Sequence, residues 1–205
     1  REAVVRALVA GSPSIALTIS PPFREYHFID LNESKVASLE ALSGTRHDVH
    51  VHHGDCNKIL LDEVFPRAKF EDYRRALCIL DPYGLDLDWQ VISAAGRMRS
   101  IELFVNFPVQ DMNRNVLWRN PGRVSPAQAR RMTTYWGDES WKTAAYKPAS
   151  QQSLFGDAGE EKASNDQVAE AFRQRLQTAA TFAHVPEPVA MRKSRNAIVY
   201  YLFFA

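Results

Sequence analysis

A chain of 205 residues with 45% hydrophobic and 24% charged side chains has the composition of one globular domain with a sizeable core. Its formal net charge of +1 gives no overall indication that the protein binds a polyanion or an anionic membrane. The two cysteines, Cys56 and Cys78, are too few for a disulfide framework or a cysteine metal cluster and favour a reducing, cytoplasmic location. The longest apolar runs are too short to cross a bilayer, so we expect no membrane segment.

The first third of the chain predicts alternating helices and strands. Apolar residues recur at helical spacing over residues 1–10, and Ser12 and Pro13 are typical of the start of a helix, here over residues 13–19. The segments that follow are a strand over Tyr26–Asp30, a helix beginning at Asn32 or Glu33, a strand over residues 48–52, and a helix containing Ile59, Leu60 and Val64.

The apolar run Ala76–Leu80 predicts a parallel strand that is covered on both faces by helices, because it does not alternate with polar residues. Asp81 follows directly, and Pro82 and Gly84 give the next turn a restricted backbone that would hold Tyr83 in place. A simple exit from strand to turn, for which proline and glycine are common, is the alternative.

The second half of the chain predicts an α/β domain that closes with a hairpin. A helix from Trp89 to about Arg99 precedes a strand over Ile101–Phe107. Residues 112–118 favour a helix that Asn120-Pro121-Gly122 breaks, and weak periodicity up to about residue 159 marks residues 112–160 as an insertion over the site. A helix over residues 165–182 begins at Ser164 or Asn165, and two β segments over residues 185–192 and 197–205 follow. We expect one domain over residues 1–205.

An acid stands at the end of, or shortly after, each of three successive strands, at Asp30, Asp55 and Asp81. Ligands of open α/β sheets bind outside the carboxyl ends of the strands, so we expect these three side chains to converge there. A carboxylate after the second strand of a Rossmann-like sheet can accept hydrogen bonds from both ribose hydroxyls. A helix-capping role for Asp30 is the alternative.

A cluster of histidines at His50, His52 and His53 raises the question of a metal site. A strand would place His50 and His52 on one face and His53 on the other. Because no carboxylate or cysteine stands at a companion spacing, the sequence predicts no metal site.

Five short motifs carry a family resemblance: Gly11-Ser12-Pro13, Phe28-Ile29-Asp30, Gly54-Asp55, Leu80-Asp81-Pro82-Tyr83-Gly84 and Arg195-Asn196. With the three strand-acid units and the closing hairpin, they resemble the class I S-adenosylmethionine-dependent methyltransferase fold, a Rossmann-like, mostly parallel sheet with helices on both faces. Over most of its length the chain is similar to the three-Cys-motif partner proteins. Members of that family are bacterial and are encoded beside a protein with a three-cysteine motif, which the resemblance implies as a partner.

The resemblance also implies roles for individual residues, with S-adenosylmethionine as cofactor. The implied cofactor-binding residues are Asp30 and Leu31 at the ribose, Gly54, Asp55 and Cys56 at the adenine, and Asp81. The implied catalytic residues are Asp81, Pro82 and Tyr83, in place of the Asp/Asn-Pro-Pro-aromatic motif of amino-methyltransferases. That motif accepts hydrogen bonds from a target amino group and stacks a ring on the target. Here the second proline is absent, which moves the ring one residue earlier.

The fold family opens with a strand and a glycine-rich loop, whereas no Gly-x-Gly precedes Gly11. Because the chain also begins with Arg1 rather than Met, we expect this first strand and loop to be missing from it.

A basic and aromatic segment lies within the predicted insertion. Residues 112–147 contain seven Lys or Arg side chains against two acids, a net charge of +5. Positive charge combined with aromatic rings is typical of surfaces that bind unstacked bases, which predicts nucleic acid as a partner. The side chains proposed for this contact are Arg119, Arg123, Arg130, Arg131, Trp136 and Trp141. The alternative is that the rings pack inside the protein and the charges form a solvated face.

Two functional hypotheses result from the sequence. The first is a methyltransferase that acts on an amino group of a nucleic-acid base through Asp81-Pro82-Tyr83. The second is a non-catalytic Rossmann-like module that serves as an interaction partner or a nucleic-acid-binding subunit.

Overall fold

The computed structural model describes residues 11–148, 160–194 and 196–205. The predicted helix over residues 1–10, the end of the predicted insertion and Arg195 lie outside these described residues. The chain forms two compact units, one ending at Val64 and the other spanning Phe65–Ala205. Each unit is a mixed α/β structure, and the organisation as a single domain stays a prediction.

The first unit contains a β-α-β arrangement. Helix α1 (Ser12–Ala16) precedes strand β1 (Tyr26–Asp30), helix α2 (Glu33–Ser43) and strand β2 (Val49–His53). The two strands pair in parallel, with Tyr26 opposite Val49 and Asp30 opposite His53. Helix α3 (Cys56–Ile59) then continues into a π-helical turn over Leu60–Val64. These elements confirm the predicted order of helices and strands.

The second unit is built on a four-stranded sheet. After a short 3-10 helix at Phe65–Arg67, its first strand and helix are β3 (Ala76–Leu80) and α4 (Trp89–Met98), followed by β4 (Ile101–Phe107). Strands β3 and β4 are parallel. The last strands of the chain are β7 (Val189–Arg192) and β8 (Ile198–Phe204), which give the sheet order β3-β4-β8-β7. Since β8 is antiparallel to both neighbours, the predicted C-terminal antiparallel hairpin is confirmed.

The remaining elements of the second unit lie between β4 and β7. They are α5 (Val109–Asn115), a 3-10 helix at Pro121–Arg123, α6 (Pro126–Trp136), α7 (Trp141–Ala145), the short antiparallel strands β5 (Tyr146–Pro148) and β6 (Glu160–Lys162), and α8 (Asn165–Thr178). Ser164 accepts a hydrogen bond from the Gln167 N–H at 3.2 Å, while the Gln167 side chain accepts from the Ser164 N–H at 2.9 Å. This reciprocal capping box explains why α8 begins where the sequence predicted.

The four-stranded sheet is covered on one face. Leu103, Val105 and Phe203 on that face are fully buried, whereas Leu77 and Ile79 on the opposite face of β3 are 40% and 53% exposed. The prediction that helices cover both faces of β3 is therefore wrong for the described structure. An unbroken apolar run does not distinguish a strand buried on two faces from one whose second face keeps its apolar side chains in contact with water.

Aromatic rings form the centre of the second unit. Phe172 of α8 contacts the rings of Phe107, Tyr135, Trp136 and Phe203, with centroid distances between 4.6 and 5.9 Å. Several of these contacts are tilted or edge-to-face, as aromatic pairs prefer. The packing fixes α6 and α8 against the sheet.

Close packing also fixes α4. The ideal Cβ position at Gly96 lies 1.8 Å from the backbone carbonyl oxygen of Ala180, just after α8. Only glycine permits this approach of helix to backbone.

Candidate functional site

The carboxyl ends of β1 and β2 lie side by side in the first unit. Asp30 is the last residue of β1, and its carbonyl oxygen accepts a hydrogen bond from the Gly54 N–H at 3.1 Å. Asp55 follows Gly54 directly. The structure thus brings Asp30 and Asp55 to the same end of this two-stranded sheet. Asp81 belongs to the second unit, so the convergence of all three acids stays a prediction.

The carboxylate of Asp30 has two described contacts. Its Oδ1 accepts a hydrogen bond from the Asn32 N–H at 2.8 Å, and its Oδ2 lies 3.5 Å from Lys35 Nζ. The residue that caps α2 is Asn32, whose side chain accepts from the N–H groups of Ser34 and Lys35. Asp30 therefore does not serve as the cap. Because an ionised carboxylate offers about four acceptor positions, it has capacity for a further donor.

Asp55 has a structural role in this conformation. Its Oδ1 accepts from the backbone N–H of Asn57 at 2.9 Å and from the Asn57 side-chain amide at 3.1 Å, which makes it the N-cap of α3. Cys56 is half-buried as the first residue of that helix. Leu31 is exposed, and its carbonyl oxygen lies 3.2 Å from His53 Nε2. Leu31 and Cys56 directly follow Asp30 and Asp55 in the chain, and their role in cofactor binding stays a prediction.

In the second unit, the turn after β3 presents an acid and an aromatic ring. The carboxylate of Asp81 accepts a hydrogen bond through Oδ1 from the side-chain amide of Asn106, at 2.6 Å. Tyr83 is 92% exposed. Gly84 has a φ of +61°, and a Cβ at this position would lie 2.7 Å from Asp111 Oδ2. The glycine therefore lets the turn pass close to Asp111 and project the Tyr83 ring outward.

Sequence reasoning missed two polar side chains beside this turn. Asn106 lies near the carboxyl end of β4, and Asp111 lies in the first turn of α5. Asn106 Oδ1 and Asp111 Oδ2 are buried and have no hydrogen-bond partner within the described parts of the chain. A buried acceptor without a partner is costly unless a ligand or water supplies a donor. The signal in the sequence was Asn106 itself, a polar residue where an apolar strand ends.

The basic and aromatic segment does not form the predicted surface. Trp136 and Trp141 are only 1% and 3% exposed, so the prediction that these rings stack on bases is wrong. Their indole N–H groups donate inside the protein, to Ser140 Oγ at 2.9 Å and Thr133 Oγ1 at 3.0 Å. The alternative that the rings pack in the interior is confirmed for both.

The cations of that segment differ in their surroundings. Arg131 forms an ion pair with Asp86 at 2.7 Å, and Arg130 lines a shallow depression on α6 that also contains Glu139. Arg119 contributes to a lowered pKa of Lys162, for which burial is the larger cause. The Lys162 ammonium donates to Asn113 Oδ1 at 2.6 Å and to the Leu117 carbonyl oxygen. Lys162 is thus a half-buried lysine with structural contacts.

Comparisons with known proteins were negative: no family model, no curated protein and no solved structure matches the chain. The resemblance to the three-Cys-motif partner proteins accordingly stays a prediction. Among the helices that the structure describes, none has the length and apolar character needed to cross a membrane.

Proposed function

We propose that the chain is an S-adenosylmethionine-dependent methyltransferase that acts on an amino group. The observation that carries this proposal is the turn after β3, where Asn106 holds Asp81 while the Tyr83 ring stands exposed beside it. The combination of a fixed acceptor and a free aromatic ring suits a planar target that bears an amino group.

Asp81 and Tyr83 have separate tasks in this proposal. With Oδ1 bound to Asn106, Asp81 Oδ2 accepts one N–H of the target amino group, and the Pro82 carbonyl oxygen accepts the other. The nitrogen lone pair is then oriented while the Tyr83 ring stacks on the target. Such positioning contributes up to about 7–11 kcal/mol of barrier lowering in favourable cases.

The first unit supplies the cofactor-binding residues in this proposal. Asp30 keeps acceptor capacity for ribose hydroxyls, and Gly54, Asp55 and Cys56 would hold the adenine. S-adenosylmethionine, when bound, supplies an electrophilic methyl group. The residues fit this cofactor because the carboxylates offer acceptors for its hydroxyl and amino donors.

Nucleic acid is the acceptor class that we propose to test first. Since Trp136 and Trp141 are buried, the contact would depend on Arg119, Arg123 and Arg130 and on the exposed ring of Tyr83. Phosphate contacts of this kind weaken with added salt, so salt dependence is part of the test.

The decisive experiment combines binding with transfer. S-adenosylhomocysteine is titrated into the protein by calorimetry, and methyl transfer from labelled S-adenosylmethionine is followed on DNA, RNA and protein substrates. We expect saturable cofactor binding and incorporation that Asp81→Ala removes, whereas Glu102→Ala, an exposed acid on β4, retains it. Absence of cofactor binding would contradict the proposal and favour the non-catalytic module instead.

A further inference from the structure

Two imidazoles and one carboxylate lie together at the β1–β2 pair. His27 of β1 and His50 of β2 lie opposite each other in register, and their rings stack with centroids 4.9 Å apart. Glu25, just before β1, places Oε2 at 3.6 Å from His27 Nε2. One ligand atom from each of Glu25, His27 and His50 lies within 4.8 Å of the others.

Two further side chains, His52 and Glu63, lie beside this group. His27 Nδ1 lies 3.1 Å from His52 Nε2, and His52 Nδ1 lies 3.6 Å from Glu63 Oε2. His27 and His52 are only 16% and 19% exposed, so packing restricts their orientation. Four side chains therefore lie in a row, in the order Glu25, His27, His52 and Glu63. The His50 ring stacks on His27.

We propose that Glu25, His27 and His50 bind a divalent transition-metal ion, with Zn²⁺ as the physiological candidate. The three side chains supply one carboxylate oxygen and two imidazole nitrogens, a ligand set that zinc accepts together with a fourth ligand. Metal–ligand bonds of about 2.0–2.2 Å place tetrahedral ligand atoms roughly 3.3–3.6 Å apart. The observed spacing, within 4.8 Å, is wider than this, so the side chains would rotate to close around an ion.

The surrounding hydrogen bonds match what a metal-bound histidine requires. If His27 binds the ion through Nε2, its Nδ1–H can donate to His52 Nε2, and the remaining His52 N–H faces the Glu63 carboxylate. Metal-ligating histidines usually donate their second N–H to a carboxylate, a backbone carbonyl oxygen or water, which fixes the tautomer and the ring orientation. Here the His52 imidazole takes that place. His52 and Glu63 thus act as positioning residues.

The chemistry of the donors selects the class of ion. Two imidazoles beside one carboxylate favour zinc and its neighbours over magnesium and calcium, which prefer oxygen ligands. The prediction of no metal site from the sequence considered only spacing along β2. His27 and Glu25 are more than twenty residues away in sequence and reach His50 only through the parallel pairing of the strands.

The test uses tag-free protein that has been treated with a chelator and dialysed. Co²⁺ is titrated while its visible absorption is recorded, because tetrahedral and octahedral Co²⁺ give different spectra; Zn²⁺ is then added as competitor and measured by calorimetry. We expect one equivalent to bind with tetrahedral or five-coordinate character, and Zn²⁺ to displace Co²⁺. His27→Ala and His50→Ala should each weaken affinity by about a hundredfold, and His52→Ala by roughly tenfold.

Two exposed histidines provide matched controls. His47 in the turn before β2 and His53 at the end of β2 lie outside the cluster, so His47→Ala and His53→Ala should leave affinity unchanged. Circular dichroism of each metal-free variant verifies folding, and Glu25→Gln replaces His27→Ala if the latter does not fold. Lack of saturable Co²⁺ and Zn²⁺ binding, or equal losses in the His47 variant, would overturn the proposal.

Discussion

The side-chain amide of Asn106 donates a hydrogen bond of 2.6 Å to Asp81 Oδ1 and so joins the end of β4 to the turn after β3. The two parallel strands thereby fix one oxygen of a carboxylate that is otherwise exposed to solvent. In the proposed enzyme, this bond determines which oxygen remains available to the target.

Replacement of Asn106 should therefore lower activity through Asp81. Asn106→Ala removes a hydrogen bond to a charged group, worth about 1.5–3 kcal/mol, so we expect methyl transfer to slow by at least about tenfold. Steady-state kinetics and circular dichroism measure the effect. Gln90→Ala, an exposed side chain on α4, is the control and should behave like the parent. Equal rates for the Asn106 variant would show that Asp81 needs no support from β4.

Variants of Tyr83 test whether the chain is a methyltransferase or a non-catalytic binding module. Tyr83→Ala removes a stacking surface worth about 1–3 kcal/mol, so transfer should slow roughly ten- to hundredfold, whereas Tyr83→Phe keeps the ring and should be tolerated. Tyr73→Ala is a matched control, because Tyr73 is also in a turn of the second unit and is 94% exposed. If transfer is detected and Tyr83→Ala is as fast as the parent, the proposed role of the turn is wrong.

Asp30 provides the corresponding test for the cofactor. Asp30→Ala should weaken binding of S-adenosylhomocysteine by about 1.5–3 kcal/mol, because charged hydrogen bonds to the ribose are lost. Calorimetry gives the affinity, and thermal unfolding shows whether the first unit stays folded. Glu40→Ala removes an exposed acid from α2 and should have no effect. An affinity that does not change would leave Asp30 with only its contacts to Asn32 and Lys35.

Gly84 should resist substitution for two independent reasons. Its φ of +61° disfavours any side chain, and an added Cβ would lie 2.7 Å from Asp111 Oδ2. We expect Gly84→Ala to lower the free energy of unfolding by about 1–3 kcal/mol in denaturant titrations. Gly122→Ala is the control, since its Cβ would meet Asn120 Oδ1 at an ordinary 3.4 Å. Adding Asp111→Ala to Gly84→Ala relieves the contact but not the backbone strain, so it should restore only part of the loss.

Replacement of two buried tyrosines by phenylalanine should have opposite effects on stability at neutral pH. The Tyr135 hydroxyl is buried without a hydrogen-bond partner in the described residues, while Tyr201 donates to Asp166 Oδ1 at 2.5 Å. Tyr135→Phe should therefore keep or raise stability, and Tyr201→Phe should lower it by about 1–3 kcal/mol. Burial raises the pKa of both phenols above the ordinary value of 10.0, and the Asp166 carboxylate adds to the rise for Tyr201.

These raised pKa values also predict an alkaline loss of stability. Above about pH 10 the unfolded chain loses phenol protons that the folded chain keeps, so the folded state binds more protons and its stability falls as pH increases. The stabilising contribution is complete below pH 10. Denaturant titrations between about pH 8 and 11 should show a smaller loss for Tyr135→Phe than for the parent. Identical slopes would mean that Tyr135 ionises normally in the folded protein.

Local sequence signals were sufficient for much of the fold. The bounds of β1 and β3 follow from apolar runs that end at Asp30 and Asp81, and Asn32 and Ser164 begin helices because their side chains cap them. Such signals depend on neighbours within a few residues, which a single sequence contains in full.

Contacts between distant segments were not predictable in the same way. Helix α6 was missed because cations interrupt its apolar stripe, although Tyr135 and Trp136 at its end are buried. The cluster around His27 and the bond between Asn106 and Asp81 depend on strand register, which periodicity does not specify. A polar residue near a strand end therefore indicates where a site lies, but the sequence does not identify the side chain that the residue contacts there.

The contact at Gly96 restricts how this chain can vary. Because the carbonyl oxygen of Ala180 occupies the space that any other side chain would need, position 96 admits no neutral replacement while the chain after α8 keeps its course. A shift of that segment away from α4 would relax the restriction, but it would also move Phe182, whose ring lies 3.2 Å from the same point. A replacement of Gly96 consequently requires a compensating change in the segment that contains Ala180 and Phe182, so these positions are expected to vary together.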